Sequence, residues 1–102
     1  MRRISGLFMK KIYIYILTNK GNKVLYIGVT NDLNRRYFEY ISKVTDSFSA
    51  KYNLNKLVFF QEYKYVNDAL NAQKKLKRVL RAKKLVIISD FNPQWKNLMK
   101  IE

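Results

Sequence analysis

The chain has 102 residues and contains no cysteine and no histidine. Without cysteine there are no disulfides and no thiolate metal sites, so the fold stands on packing alone. Without histidine the usual general base and the commonest metal ligand are missing. Any chemistry must come from Tyr, Lys, Arg, Asp, Glu or Asn. No apolar run approaches the ~20 residues that span a bilayer. The basic start, MRRISGLFMKK, has too short an apolar stretch for a signal peptide. The expected location is therefore cytoplasmic, with no membrane partner. No internal repeat or low-complexity tract is present. Acidic residues are also scarce, with 7 against 21 basic ones and a net charge of +14. So large an excess on so small a chain implies a polyanionic partner: DNA, RNA or an anionic membrane surface.

What is present is an ordinary globular composition, 48% hydrophobic. A chain of this size forms one domain and buries roughly 60–70% of its unfolded surface. Residues 1–10 show no pattern and are expected to be a tail, with a single domain over 11–100 and a monomer or weak oligomer. Residues 11–17 alternate β-branched and aromatic side chains, which predicts a strand with Ile12, Ile14 and Ile16 on one face and Tyr13 and Tyr15 on the other. Residues 18–23 form a turn in which Gly21 and Asn22 can take positive φ. A second strand over 24–28 completes a hairpin, with Gly28 at its end.

Thr30, Asn31 and Asp32 are good helix caps, so a helix is expected from near Leu33, with Leu33, Tyr37, Tyr40, Ile41 and Val44 on its apolar face. Residues 45–53 read as a loop that Phe48 and Tyr52 could anchor. The segment KLVFFQEY, residues 56–63, is the clearest third strand. Asn67 or Asp68 then caps a second helix to about Leu80, burying Ala69, Ala72, Leu76 and Leu80, with Gln73 on the same face. Its opposite face carries Lys74, Lys75, Lys77, Arg78 and, just beyond, Arg81. Residues 82–90 fit strand or helix and are taken as helix, since no turn chemistry separates them from a partner strand. Asn92-Pro93 predicts a short final helix. The expected order is β-β-α-β-α-α-α, an α+β domain with a small three-stranded antiparallel sheet flanked by helices.

Tyr13-Ile14-Tyr15 and Tyr26-Ile27-Gly28, with Tyr15 and Tyr26 eleven residues apart, resemble the two tripeptides of the GIY-YIG nuclease superfamily. The resemblance continues through Arg36, Tyr40, Gln73 and Asn92 and is greatest to small single-domain bacterial members. It implies endonuclease activity: metal-dependent hydrolysis of DNA phosphodiester bonds, single- or double-stranded, with Mg²⁺ or Mn²⁺. It implies that Tyr15 is the general base, Tyr26 positions it or the water, Arg36 stabilises the transition state, Tyr40 contacts the phosphate and Asn92 orients nearby groups. Lys74, Lys75, Lys77, Arg78 and Arg81 would contact the nucleic-acid backbone, and Gly28 is structural. Taken alone, Asn92 is explained as a helix cap.

Such hydrolysis needs an activated water and charge neutralisation at phosphorus. A tyrosine with a reference pKa of about 10 needs cations nearby to ionise. The metal-ligand position of the family is a glutamate and here is Gln73, a neutral carbonyl that weakens metal binding. Three accounts follow. The chain is an altered or silent member; the glutamine is an introduced change that leaves bound nucleic acid uncut; or Glu39 or Glu62 serves instead. The alternative function is a non-cleaving nucleic-acid-binding module of the same fold.

Overall fold

The structure, a computed structural model, describes residues 11–42 and 52–99. The elements are β1 (Ile12–Thr18), β2 (Leu25–Thr30), α1 (Leu33–Ser42), β3 (Lys56–Tyr63), α2 (Val66–Arg78) and α3 (Arg81–Phe91). Val44, Phe48, Lys43, Lys51 and the tail over 1–10 lie outside the described residues. The sheet is antiparallel in the order β2-β1-β3, so the first strand in sequence is the central one.

Alternation along β1 divides the core in two. Ile14 and Ile16 point to one face, where they pack with Ile27, Val58, Phe59 and the helix residues Ala69, Leu76 and Ile88. Tyr15 and Leu17 point to the other, where α1 lays Tyr37 and Tyr40 against them with Leu54 and Leu57. Helices thus cover both faces, which is why a three-stranded sheet can bury its centre so fully: Ile16 and Val58 are 0% exposed.

Local chemistry explains the connections. In the hairpin turn Asn22 alone takes positive φ, at 58°, while Gly21 does not. Asn19 organises the turn, its side-chain oxygen accepting from the Lys23 amide at 2.9 Å. Asp32 caps α1, accepting from the Arg35 amide at 3.0 Å. β3 carries a bulge: Ile16 pairs with Phe59 and Leu17 with Leu57, so Val58 is the extra residue.

Four expectations from the sequence need correction. β2 runs on to Thr30, so Gly28 lies within the strand and not at its end. α2 starts at Val66 after Tyr65, without a side-chain cap from Asn67 or Asp68. It stops at Arg78, because Val79 and Leu80 are extended, with ψ near 155°. That turns Leu80 off the buried face and leaves it 80% exposed, while Val79 packs on the core instead. The final helix does not form. Asn92 does bond like a cap, accepting from the Lys96 amide at 3.2 Å, but Trp95 takes φ 52° and ends the turn. The observed order is β-β-α-β-α-α.

Candidate active site

The tyrosine face of the sheet gathers four of the residues that the sequence singled out. Tyr15 stands on the central strand opposite Gly28 of β2, and its ring lies across that glycine. A Cβ at Gly28 would overlap the Tyr15 hydroxyl and ring. The glycine is therefore required by close approach and not by its φ. Tyr26, two residues before Gly28, projects to the same face, with ring centroids 6.4 Å from Tyr15 and 5.5 Å from Tyr40.

Arg36 and Tyr40 come from adjacent turns of α1, which is why their spacing of four brings them to one spot. The Arg36 guanidinium donates from Nε to the Tyr15 hydroxyl at 3.3 Å and from Nη2 to the Tyr40 hydroxyl at 3.1 Å. Its third arm donates from Nη1 to Glu39 at 3.0 Å. The guanidinium carbon also lies 4.7 Å from the centre of the Tyr40 ring. The sequence offered Glu39 only as a substitute metal ligand; its position three residues after Arg36 makes it instead the partner of the guanidinium. Arg35 holds the same carboxylate at 3.1 Å.

Burial decides the charge state of the cluster. Tyr15 and Tyr40 are almost wholly enclosed, at 2% and 1% exposure. Burial pushes the Tyr15 hydroxyl above its ordinary pKa, and the hydrogen bonds from Tyr40 and Arg36 offset this only in part. Burial likewise raises Tyr40, with its contacts to Tyr26 and Tyr15 adding to the effect. Burial works against the charge on Arg36, but its bonds to Tyr15 and Glu39 win and its pKa rises. Glu39, bonded by Arg36, is held below the usual carboxylate range. The result is one fixed cation with protonated tyrosines around it. Arg36 donates into both hydroxyls, and Tyr40 is further bonded to Tyr15 and Tyr26, so the tyrosines hold the guanidinium in a closed polar network.

Gln73 comes from α2, and its Nε2 makes a long bond, 3.4 Å, to the carbonyl of Ile27. That carbonyl belongs to the residue between Tyr26 and Gly28, so Gln73 reaches the strand that carries Tyr26. Asn92 is elsewhere. It is buried at the end of α3, its Nδ2 donating to Val58 at 3.1 Å and to Lys96 at 2.8 Å. The first of these carbonyls belongs to the bulge residue, so Asn92 satisfies a group that the bulge disturbs. Both of its amide hydrogens are occupied by backbone, and the orienting role implied for it by resemblance has no support in these contacts.

The basic side of α2 is exposed at Lys74, Lys75, Lys77 and Arg78. Arg81 is committed instead to the hairpin turn, donating to the Lys23 carbonyl at 2.9 Å. Of the aromatics that could meet substrate, Phe38 is 64% exposed. Tyr37 is buried and bonded, donating to Asn55 at 2.9 Å and accepting from Asn97 at 2.7 Å. Tyr52 packs half-buried against the tyrosine face.

The family model of the GIY-YIG catalytic domain matches residues 11–86. The chain belongs to this family. The fold is also that of a UPF0213 protein of Bacillus halodurans solved by NMR in solution, at TM-score 0.56 and 24% identity over 90% of this chain and 97% of that one. No curated protein sequence matches. The GIY-YIG domain is a nuclease fold, and its members act on nucleic acids, generally with a metal ion. No helix among the described residues is long and apolar enough to cross a membrane.

The residues do not fit a resident Mg²⁺ or Mn²⁺ ion. These cations favour carboxylate oxygen, and Gln73 offers only a neutral amide oxygen, its Nε2 being turned to the Ile27 carbonyl. Glu39 is held by two guanidinium groups, and Glu62 pairs with Lys11 at 3.4 Å. Among the described residues no three Asp, Glu, His or Cys side chains gather to hold a metal.

Proposed function

We propose that this GIY-YIG domain, acting in the cytoplasm, binds nucleic acid through a phosphodiester held on Arg36 and does not hydrolyse it while Gln73 occupies the metal-ligand position. The observation that carries this reading is Gln73 itself, an uncharged group where the family uses a carboxylate. In the binding step Arg36 faces the phosphate, with Tyr26 at its side, and the Tyr15 and Tyr40 hydroxyls beneath hold the guanidinium in place. Lys74, Lys75, Lys77 and Arg78 contact phosphates further along the backbone and carry little sequence information.

The second reading is a metal-dependent endonuclease of DNA in which Tyr15 is the general base. It is favoured by the Arg36–Tyr15 contact, which sets a cation against the Tyr15 hydroxyl. Against it stand the raised pKa and the enclosure of Tyr15, both of which oppose proton abstraction at neutral pH.

One experiment tests both. Nicking and binding of labelled single- and double-stranded DNA are measured with Mg²⁺ or Mn²⁺, using this chain and Gln73→Glu. The expected result is tight binding by both forms and nicking by Gln73→Glu alone. Equal nicking by both forms establishes the second reading. With five phosphate contacts, on Arg36 and on the four basic residues of α2, affinity should fall about five-hundredfold as salt rises from about 50 to 200 mM. Absence of salt-sensitive binding to any nucleic acid overturns both readings.

A further inference from the structure

A cavity of about 300 Å³ opens on the tyrosine face beside the start of α1. One wall is aromatic: Tyr13 and Phe60 meet edge to face with centroids 6.2 Å apart. The rim opposite carries Asn31, Asp32 and Asn34. The Tyr13 hydroxyl and the Asn34 side-chain amide have no hydrogen-bond partner among the described residues. The cavity adjoins the arginine cluster. Leu33 lines it and also packs on the core formed by Tyr15 and Tyr40. Tyr13 stands two residues before Tyr15 on the same face of β1, about 7 Å along the strand, a step that a phosphate and a neighbouring base can bridge.

The chemistry of the walls selects a ligand class. Asp32 is the sole charged side chain on the lining, paired at 3.9 Å with Arg35 and occupying the α1 cap, so the lining offers no cation to an anion. A phosphate therefore does not belong here. Two aromatic rings favour a flat apolar face, and the asparagine amides offer donors and acceptors to a polar edge. A neutral planar heterocycle matches both, and the volume falls at the lower end of small-ligand sites.

We propose that this cavity is a nucleobase pocket, which takes one unpaired base of a strand whose phosphodiester lies on Arg36. The proposal rests on the binding function above and adds its substrate class: single-stranded or locally unpaired nucleic acid. A base within a continuous duplex has its faces stacked and its edge paired, and reaches such a pocket only by leaving the stack.

The test uses the full chain in a chelator, so that binding alone is read. Oligonucleotides carry a fluorescent purine analogue in a single strand, in a perfect duplex, and as one unpaired residue in an otherwise perfect duplex. The analogue should be quenched in the single strand and at the unpaired position, and both should bind about tenfold more tightly than the perfect duplex. Asn34→Ala and Tyr13→Phe remove the two unpartnered groups. Each should reduce the preference several-fold, with the quenching retained in Tyr13→Phe because its ring stays, while leaving the melting temperature and the salt dependence in place. Lys75→Ala should do the converse, lowering affinity for all three probes and flattening the salt dependence. Equal affinity for all three probes with a bright analogue overturns the pocket. So does a preference that survives both variants. Salt-sensitive binding without quenching overturns the pocket alone, whereas no binding to any probe overturns the proposed function with it.

Discussion

The two faces of the sheet share a central strand and have opposite chemistry. On one, Ile14, Ile16, Ile27, Val58 and Ile88 are buried and need nothing but volume. On the other, Tyr15, Tyr37 and Tyr40 are buried just as well, yet each brings a hydroxyl that must be satisfied. Arg36 meets two of these hydroxyls and Asn97 the third. The difference teaches where stability and function separate in a small domain. The aliphatic face is free to be optimised for packing. The tyrosine face holds a cation in a closed polar network, and its polar atoms are the ones that a ligand can recruit.

The largest expected effect breaks the aliphatic side. Ile16→Ala should cost about 2–5 kcal/mol of stability, read by urea unfolding, while the folded protein keeps its affinity for nucleic acid. Gly28→Ala should cost less, about 1–3 kcal/mol, but should abolish binding as well, because the new Cβ displaces the Tyr15 ring. If Gly28→Ala lowers stability and leaves binding intact, the tyrosine face is not the ligand face. Tyr15→Phe should cost the least, about 1–2 kcal/mol for the hydrogen bonds that its hydroxyl accepts from Arg36 and Tyr40.

The same variant sharpens the comparison through pH. The folded-state pKa of Tyr15 and of Tyr40 lies above the unfolded value of about 10. The native state therefore holds these protons more tightly than the unfolded chain. Their contribution is fully present below pH about 10 and is lost as pH rises through the folded values. Urea midpoints taken from about pH 9 to 12 should fall with pH, and less steeply in Tyr15→Phe. An unchanged slope would mean that burial does not hold the Tyr15 proton.

Much of this was legible in the sequence because the signals were local. β3 has the bounds that its composition implies, and the alternation of Ile and Tyr in β1 assigns each face correctly. Asp32 caps α1 as its position suggests. The misses were tertiary or conformational. Nothing in KLVFFQEY announces a bulge at Val58, and nothing marks Trp95 for positive φ. Leu80 looks helical by spacing and is not, because the two residues after Arg78 are extended. At the site, the spacing of Tyr15, Tyr26, Arg36 and Tyr40 was readable. The direction of the Tyr15 pKa was not. A neighbouring arginine suggests a lowered value, and only the depth of burial reverses it. The pocket beside Tyr13 was equally hidden, since its walls come from β1, β3, the start of α1 and the segment near Met99.

The stretch after α3 has a consequence for the protein's behaviour at high concentration. β3 is a terminal strand of the sheet, and a terminal strand is a template on which a foreign strand can add. Near Leu57 that template is already occupied. The Leu57 amide donates to the Asn97 side chain at 3.0 Å, and its carbonyl accepts from the Leu98 amide at 2.7 Å. The next carbonyl, of Val58, is taken by Asn92. Residues 92–98 thus cover this part of the β3 edge. A version cut after Phe91 would expose these groups of β3 and assemble through them into aggregates.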